Sequence, residues 1–367
     1  MKKRKIKFIP WSKPKIFGLE SQLVTRAINS SWISGGKYID LLELKFQRFL
    51  KVKHAFLVSN GTAAIHCAFL SLNLKSEDEI IVPGYGYMAA ANIARLMNVN
   101  VKFADVDRDT FCISLDYIKK LKTKKTRVVV ITHTYGNAHE VQKIKIWCSE
   151  NNIKLKEDTA EALGSKFKNK FVGTFGDIGT FSLHATKNIT TGEGGLIVTN
   201  DNKIASLLKL YRSHGVLKKK YYHIVPGHNF RITNFQAAMG LVQMKNKKKI
   251  FSRRKMIYEI YKKKLNNNKF QIQKINPEVD FIPWTLALYL KNEKININRI
   301  SYNLSKKGIE TRNGFYSANR LKIYGILDSK IPNSNFLSKG IICLPIFYDL
   351  KKKDIQKICN IINSLVK

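Results

Sequence analysis

The feature that most constrains the fold is an alternation of short apolar runs with amphipathic segments along the first half of the chain. The apolar runs have the length of strands, and each leads through a polar or glycine-containing turn towards a helical pattern. Strands that alternate with helices form a mostly parallel sheet that is covered by helices on both faces. The predicted strands include residues 79–83, 101–103, 127–132 and 153–156, and the predicted helices include residues 17–30, 40–51, 88–98 and 139–151.

The pattern changes near residue 245, where a long basic helix over 245–264 is predicted. Strand-like segments at 270–275 and 280–290 follow, then a helix at 297–307 and a final strand, turn and amphipathic helix. The chain of 367 residues is long enough for two domains. We therefore predict a large α/β domain at 1–245 and a smaller α+β domain at 246–367.

Polar residues follow several of the predicted strands at the point where each strand ends. In open α/β sheets, ligands bind in the crevice outside the carboxyl ends of the strands. The strand-end segments therefore predict the position of a ligand site. They are residues 59–62, 83–87, 133–136, 158–161 and 182–187.

Lys187 lies in a polar, glycine-rich loop between two predicted strands, within the stretch Gly179–Thr199. Most lysines of the chain occur in runs that are typical of solvated surface, whereas Lys187 has no lysine neighbour. A lysine held where two buried strands meet can have a lowered pKa and act as an amine nucleophile. The alternative is a surface lysine in a glycine-rich hairpin.

Two upstream segments help to decide whether Lys187 is a buried nucleophile or a surface lysine. The turn over residues 59–62 opens a helix, so its backbone N–H groups either bind an anion such as phosphate or are satisfied by an ordinary N-cap. Asp158 follows a strand and precedes a predicted helix that holds Glu161, so it either caps that helix or pairs with a protonated ring nitrogen. A lysine, an acidic partner for a pyridinium nitrogen and a phosphate cradle are together what pyridoxal phosphate requires of a protein.

The net charge of +39 has two interpretations. It indicates either a nucleic-acid or anionic partner or a compositional bias, and the even spread of lysine along the chain favours the bias. The five cysteines form no CxxC pair, which argues against a disulfide framework and against a zinc site. No apolar run has the length of a membrane span and no signal core follows the basic N-terminus, so we expect a cytoplasmic protein.

The sequence resembles the DegT/DnrJ/EryC1/StrS family of sugar aminotransferases, which are pyridoxal-phosphate (PLP) enzymes of fold type I. The matching stretches cover nearly the whole chain in family order. They are WISGGKYID, VSNGTAAIH, EDTAEALGS, GTFGDIGTFSLHATKNITTGEGG, GHNFRITNFQAAMG and GIETR. The stretches EDTAEALGSKFKNKFVGTFGDIGTFS and ITTGEGG look closest to the GDP-perosamine synthase branch.

The resemblance implies roles for the residues that match the family's catalytic motifs. Lys187 would bind the cofactor covalently and transfer protons, and Asp158 would keep its ring nitrogen protonated. Glu161, one helical turn later, would approach the 3-hydroxyl side of the cofactor. His184 would orient the substrate or simply pack beside the loop. Members that carry out 3-dehydration have histidine in place of this lysine, so Lys187 favours amino transfer.

The resemblance also implies further binding residues. Asn229 would reach the phosphate of a neighbouring subunit, so that a homodimer would share its active sites. The other expected cofactor contacts are the Gly61 and Thr62 backbone, the Tyr87 ring and the Ser182 hydroxyl. The expected contacts with the sugar nucleotide are Trp32, Ser34, Lys37, Tyr38 and Arg312. After Arg312 the chain departs from the family's aromatic-Pro-x-His pattern and reads FYSANR.

The implied reaction is the transfer of an amino group from glutamate to C4 of a nucleotide-linked 4-keto-6-deoxy sugar, with GDP-4-keto-6-deoxy-D-mannose as the expected substrate. One alternative is a UDP- or dTDP-linked keto sugar, aminated at C3 or C4. A second alternative, from another functional class, is a basic nucleic-acid-binding protein built on this scaffold.

Overall fold

The computed structural model describes residues 7–217, 219, 221–265, 268–291 and 297–365. Its strands up to residue 199 are β1 (His54–Val58), β2 (Glu79–Pro83), β3 (Asn100–Ala104), β4 (Thr126–Thr132), β5 (Lys154–Asp158), β6 (Lys166–Phe167), β7 (Lys170–Phe171), β8 (Ile178–Ser182) and β9 (Gly195–Thr199). The later strands are β10 (Phe270–Ile272), β11 (Val279–Asp280), β12 (Leu286–Leu290), β13 (Arg312–Asn313) and β14 (Ile341–Leu344).

The helices divide between the same two parts of the chain. Those of the first part are α1 (Leu19–Asn29), α2 (Lys37–Leu50), α3 (Gly61–Ser71), α4 (Ala89–Leu96), α5 (Leu115–Leu121), α6 (Val141–Glu150), α7 (Asn202–Tyr211) and α8 (Asn234–Lys245). Those of the second part are α9 (Lys247–Lys264), α10 (Ile297–Lys306), α11 (Pro332–Gly340) and α12 (Lys352–Leu365). No helix of the described residues is both long and apolar enough to cross a membrane.

The main sheet has seven strands in the order β1-β9-β8-β5-β4-β2-β3. The five strands from β8 to β3 are parallel, whereas β9 is antiparallel to both of its neighbours. Strands β2, β8 and β9 are buried along their whole length, as expected when helices cover both faces. The predicted α/β fold with a mostly parallel mixed sheet is therefore confirmed.

Two local predictions were wrong, and a third was confirmed. The helix expected after Asp158 is a turn, because Gly164 takes a left-handed conformation with φ of 100° and the chain then enters the short strand β6. The long basic helix predicted over 245–264 is confirmed as α9 (Lys247–Lys264), and the separate helix α8 precedes it and meets it at Asn246. The long strand expected over 280–290 is confined to β12, while β11 pairs with β6 in a separate three-stranded sheet.

A second, four-stranded sheet has the order β10-β12-β14-β13, and all of its strands come from the second half of the chain. Its apolar core includes residues of α9, α10 and α12. The N-terminal Ile9 belongs to this core too, since it forms a parallel bridge with Ile309. We propose that the two domains divide at residue 245. The N-terminal segment around Ile9 then packs on the second domain.

Candidate active site

A cavity of about 870 Å³ lies at the carboxyl ends of β4, β5 and β8, beside the N-terminus of α3. The second half of the chain closes it with Trp284, Arg312 and Phe315. The strand-end segments therefore converge on one site, as the alternation of strands and helices predicts. The cavity lining includes nine of the predicted site residues, which are Gly61, Thr62, Tyr87, Asp158, Glu161, Ser182, His184, Lys187 and Arg312.

Lys187 lies in the loop that joins β8 to β9, and 14% of its side chain is exposed. Its Nζ is 4.0 Å from Glu161 Oε1 and 3.7 Å from the centre of the Trp284 ring. Burial lowers the pKa of Lys187, against the opposing charges of Glu161 and Asp158. The alternative of a solvated surface lysine does not fit this environment.

Glu161 is the carboxylate nearest to this amine in the structure. Its Oε2 accepts a hydrogen bond from the Tyr135 backbone N–H at 2.8 Å, and Tyr135 adopts a left-handed φ of 57°. Burial raises the pKa of Glu161 to about 7, although Lys187 and the Tyr135 N–H both favour the ionised form. Burial thus lowers the pKa of the Lys187 amine and raises that of the Glu161 carboxyl, so it favours the neutral form of both groups.

Asp158 ends β5, and its Oδ1 accepts the Ala160 N–H at 3.2 Å, so it caps a turn and not a helix. Its Oδ2 is 3.5 Å from Nζ of Lys156, a lysine that is fully buried. Burial lowers the pKa of Lys156, while Asp158 opposes that shift. The sequence analysis missed Lys156, although residues two apart in a strand share a face and this spacing could have indicated the pair.

The N-terminus of α3 forms the opposite wall of the cavity. Asn60 caps this helix by accepting the Ala63 N–H, so the ordinary N-cap interpretation is correct for its side chain. The first-turn residues Gly61 and Thr62 still line the cavity. A Cβ on Gly61 would lie 3.1 Å from that of Ser182, so glycine allows the helix end to approach the serine closely.

These features together fit the pyridoxal phosphate that the sequence resemblance implies. The largely buried amine of Lys187 and the carboxyl groups of Asp158 and Glu161 line the same cavity. A helix N-terminus beside a serine hydroxyl suits a phosphate group, since its free backbone N–H groups and its dipole both favour an anion.

The remaining cavity residues lie towards its mouth. Tyr87 is 70% exposed and its ring centre is 6.3 Å from that of Phe315. His184 Nδ1 is 2.9 Å from the Thr186 hydroxyl, and 44% of its side chain is exposed. Arg312 forms an ion pair of 2.7 Å with Glu310. These side chains are accessible to a substrate that enters from solvent.

Five predicted residues lie outside the cavity of this chain. Asn229 Oδ1 accepts from Nε of Arg231, and Trp32 is 70% exposed in the loop before α2. Tyr38 is buried in the apolar core beneath α2, so in this chain its ring does not face the cavity. Ser34 and Lys37 lie in the same region, and both are exposed.

Trp284 and Arg254 are site residues that the sequence analysis missed. The Trp284 indole donates to the Thr186 carbonyl at 2.9 Å, and Arg254 donates to the carbonyls of Pro283 and Trp284. Both come from the second half of the chain and no local motif marks them. Only the packing of the second half of the chain against the first brings these two residues near the loop of Lys187.

A sequence model of the DegT/DnrJ/EryC1/StrS aminotransferase family matches residues 14–363. The GDP-perosamine synthase of Escherichia coli O157:H7 is 36% identical over 361 residues, which cover 98% of this chain and 99% of that protein.

Two solved structures superpose on nearly the whole chain. PseC of Helicobacter pylori, an aminotransferase involved in the biosynthesis of pseudoaminic acid, does so with a TM-score of 0.91 at 27% identity, covering 98% of this chain and 99% of PseC. The GDP-4-keto-6-deoxy-D-mannose-3-dehydratase of E. coli with bound hydrated PLP has a TM-score of 0.90 at 24% identity. The superposition covers 99% of this chain and 100% of the dehydratase. At that identity the dehydratase supports the fold alone.

Proposed function

The chain belongs to the DegT/DnrJ/EryC1/StrS aminotransferase family, and on this premise we propose that it transfers an amino group from glutamate to C4 of a GDP-linked 4-keto-6-deoxy sugar. It is a PLP-dependent sugar aminotransferase. The GDP-linked substrate is supported by the full-length similarity to the E. coli GDP-perosamine synthase. GDP-4-keto-6-deoxy-D-mannose is our preferred substrate.

One observation carries the proposed chemistry: the amine of Lys187 is buried in the cavity between a carboxyl and an indole ring. Because burial lowers its pKa, a larger fraction of this amine is neutral at neutral pH than for a solvated lysine. A neutral amine can bind the cofactor covalently and, when released, accept and return a proton. The cofactor supplies an electron sink that stabilises negative charge on the carbon that loses its proton.

The two carboxyl groups have separate roles in this proposal. Asp158 ends a central strand, where its carboxylate would hold the ring nitrogen of the cofactor protonated. Glu161 would adjoin the 3-hydroxyl side and exchange a proton with Lys187, since its pKa of about 7 allows both protonation states. The Gly61 and Thr62 backbone and the Ser182 hydroxyl would bind the phosphate, and Tyr87 would cover the ring from the mouth of the cavity.

The sugar nucleotide would enter past His184 and Arg312. The guanidinium of Arg312 is 61% exposed and could move from Glu310 to a diphosphate. Trp32, Ser34, Lys37 and Asn229 are absent from the cavity of their own chain, so we propose that they act in the site of a partner subunit. Tyr38 would then support the loop from within the core.

The reaction is tested by incubating the enzyme with glutamate and GDP-4-keto-6-deoxy-D-mannose and analysing the products by mass spectrometry. The expected products are an amino sugar nucleotide and 2-oxoglutarate in equal amounts. A product that has lost water without gaining nitrogen would indicate dehydration instead.

Nucleotide preference is tested separately, by thermal unfolding with GDP, UDP or dTDP. We expect GDP to raise the melting temperature most, because ligands that bind only the folded state stabilise it by mass action. Stabilisation by UDP or dTDP but not by GDP would favour the alternative sugar nucleotides as substrates. It would not contradict the proposed amino transfer.

We propose a cytoplasmic location, which the five buried free cysteines support. The nucleic-acid alternative draws only on the net charge of +39. Binding to duplex DNA that persists at physiological salt would support the nucleic-acid-binding alternative.

A further inference from the structure

Arg254 is a buried cation that the proposed reaction does not use. It lies on α9 with 4% of its surface exposed, and its Nε and Nη2 donate to the carbonyls of Pro283 and Trp284 at 3.0 and 2.7 Å. Within the described residues it forms no ion pair with a carboxylate. Burial lowers the pKa of Arg254 only to about 9, so the guanidinium is charged at neutral pH.

Arg254 and Lys187 both line a second, small cavity of about 10 Å³, to which Asn188 also contributes. Both polar atoms of the Asn188 side chain are buried and lack a hydrogen-bond partner among the residues that the structure describes. A cavity of this size holds about one water molecule. The space that the two residues share therefore holds little solvent to screen the repulsion between their charges.

The charges around Lys187 act in opposite directions. Glu161 and Asp158 favour its ammonium form, whereas burial and Arg254 favour the neutral amine. The other Asp, Glu, His, Lys and Arg side chains that line the two cavities are His66, His184, Glu193, Arg312, Lys13 and Lys15. Of these, Arg312 is paired with Glu310 and Lys15 with Asp349. Arg254 is therefore a nearby cation that no carboxylate of the described residues pairs with.

We propose that Arg254 is a positioning residue for the reactive amine: its buried guanidinium, fixed by two backbone carbonyls, repels a proton on Lys187 and keeps the amine neutral between two carboxyls. This inference rests on the proposed role of Lys187. The same hydrogen bonds attach α9 to the Trp284 backbone, but the indole has further contacts that hold it. It donates to the Thr186 carbonyl at 2.9 Å and packs edge-on against Trp11 with ring centres 5.3 Å apart.

The test is competitive acetylation of the full chain without added cofactor, followed by peptide mass spectrometry over a range of pH. The labelling rate of Lys187, relative to the exposed Lys143 in the same digest, reports its neutral fraction and its accessibility. Arg254→Met should slow labelling at neutral pH by about fivefold, because the pKa rises when a like charge is removed. The plateau at high pH should not change. Arg254→Lys, which retains the charge, should restore the rate to within about twofold.

Arg253→Met is the matched control, since Arg253 lies on the same helix and donates to the carbonyls of Tyr348 and Leu350. Its labelling curve should coincide with that of the wild type. If Arg254→Met does not fold, Arg254→Gln replaces it, because glutamine retains a donor without the charge. A labelling curve of Arg254→Met, or of its substitute Arg254→Gln, that coincides with that of the wild type, or a fall in its high-pH plateau, would overturn the proposal. Because no cofactor or substrate is present, that failure would leave the proposed reaction untouched.

Discussion

At the scale of single residues, the Lys187–Glu161 pair differs from an ordinary salt bridge. The two groups are 4.0 Å apart and both are buried, so each loses hydration that the other replaces only in part. The result is a carboxyl that is easy to protonate and an amine that is easy to deprotonate. Such a pair suits proton transfer better than it suits stability.

Glu161→Gln tests this description through stability alone. The pKa of Glu161 is raised from 4.5 to about 7 on folding, so the folded chain binds more protons than the unfolded chain between these values. The stability contributed by the protonated carboxyl is fully present below pH 4.5 and is lost as the pH rises through 7. We expect urea unfolding without cofactor to show this loss, of about 3 kcal/mol, in the wild type but not in the variant. Parallel pH profiles for the two proteins would contradict it.

The sequence identifies individual residues only where a local pattern marks them. Lys187 stands out because it lies alone in a glycine-rich loop, and Asp158 because it ends a strand. Lys156 has the appearance of any other lysine in a lysine-rich chain, yet it is fully buried. Arg254 and Trp284 reach the site only through long-range packing. Their contribution follows from the tertiary structure and from no spacing in the sequence.

At the scale of elements, Glu157 fixes the loop between β7 and β8. Its Oε1 accepts the N–H groups of Phe175 and Gly176 at 2.6 Å each, and its Oε2 accepts that of Gly173 at 2.7 Å. Oε2 also lies 2.8 Å from His133 Nε2, so His133 is a satisfied core histidine. Glu157 precedes Asp158 in β5, and this network therefore holds the strand end that carries the site.

Glu157→Gln should destabilise the chain by roughly 3 kcal/mol at neutral pH, because an amide N–H₂ would face donors that now bind a carboxylate. The hydrogen bonds hold the pKa of Glu157 below its usual range despite burial. The stability from the ionised carboxylate is therefore present above the ordinary pKa and declines as the pH falls through the lowered one. Urea unfolding measures the change, with Glu150→Gln at the exposed end of α6 as the control. Equal stability of both variants would argue against the network.

The sequence predicts strands well where helices bury both faces of the sheet. The strand over 79–83 was predicted with the bounds that the structure has, because a parallel strand between two helical layers is a continuous apolar run. The turn after Asp158 was mistaken for a helix, since Ala160, Ala162 and Leu163 favour one. The left-handed Gly164 and the strand that follows override that preference.

At the scale of the whole molecule, the proposed homodimer accounts for residues that one chain leaves outside its own cavity. Trp32 is 70% exposed and Ile33 beside it is 45% exposed. Asn229 is absent from the cavity lining, as are the residues of the loop before α2. If a partner subunit supplies them, each active site contains residues of both chains.

Co-expression of Lys187→Ala with Asn229→Ala tests this sharing. Each variant alone should be inactive or nearly so. Mixed dimers should each contain one intact site, so a random mixture should recover about a quarter of the wild-type rate. Formation of mixed dimers, verified by native mass spectrometry, without any recovery would contradict shared sites. Sedimentation of the wild type as a monomer at assay concentration would do so too.

The central claim is that Lys187 binds pyridoxal phosphate covalently and that glutamate transfers its amino group to this cofactor. The most direct measurement is the visible absorbance spectrum of the purified protein loaded with pyridoxal phosphate, before and after glutamate is added. We predict a band from the lysine-bound cofactor that glutamate converts to the pyridoxamine form, and borohydride reduction that fixes the cofactor to the peptide containing Lys187. A folded Lys187→Ala variant that still gave a reducible covalent adduct, or a wild-type spectrum unchanged by glutamate, would contradict the claim.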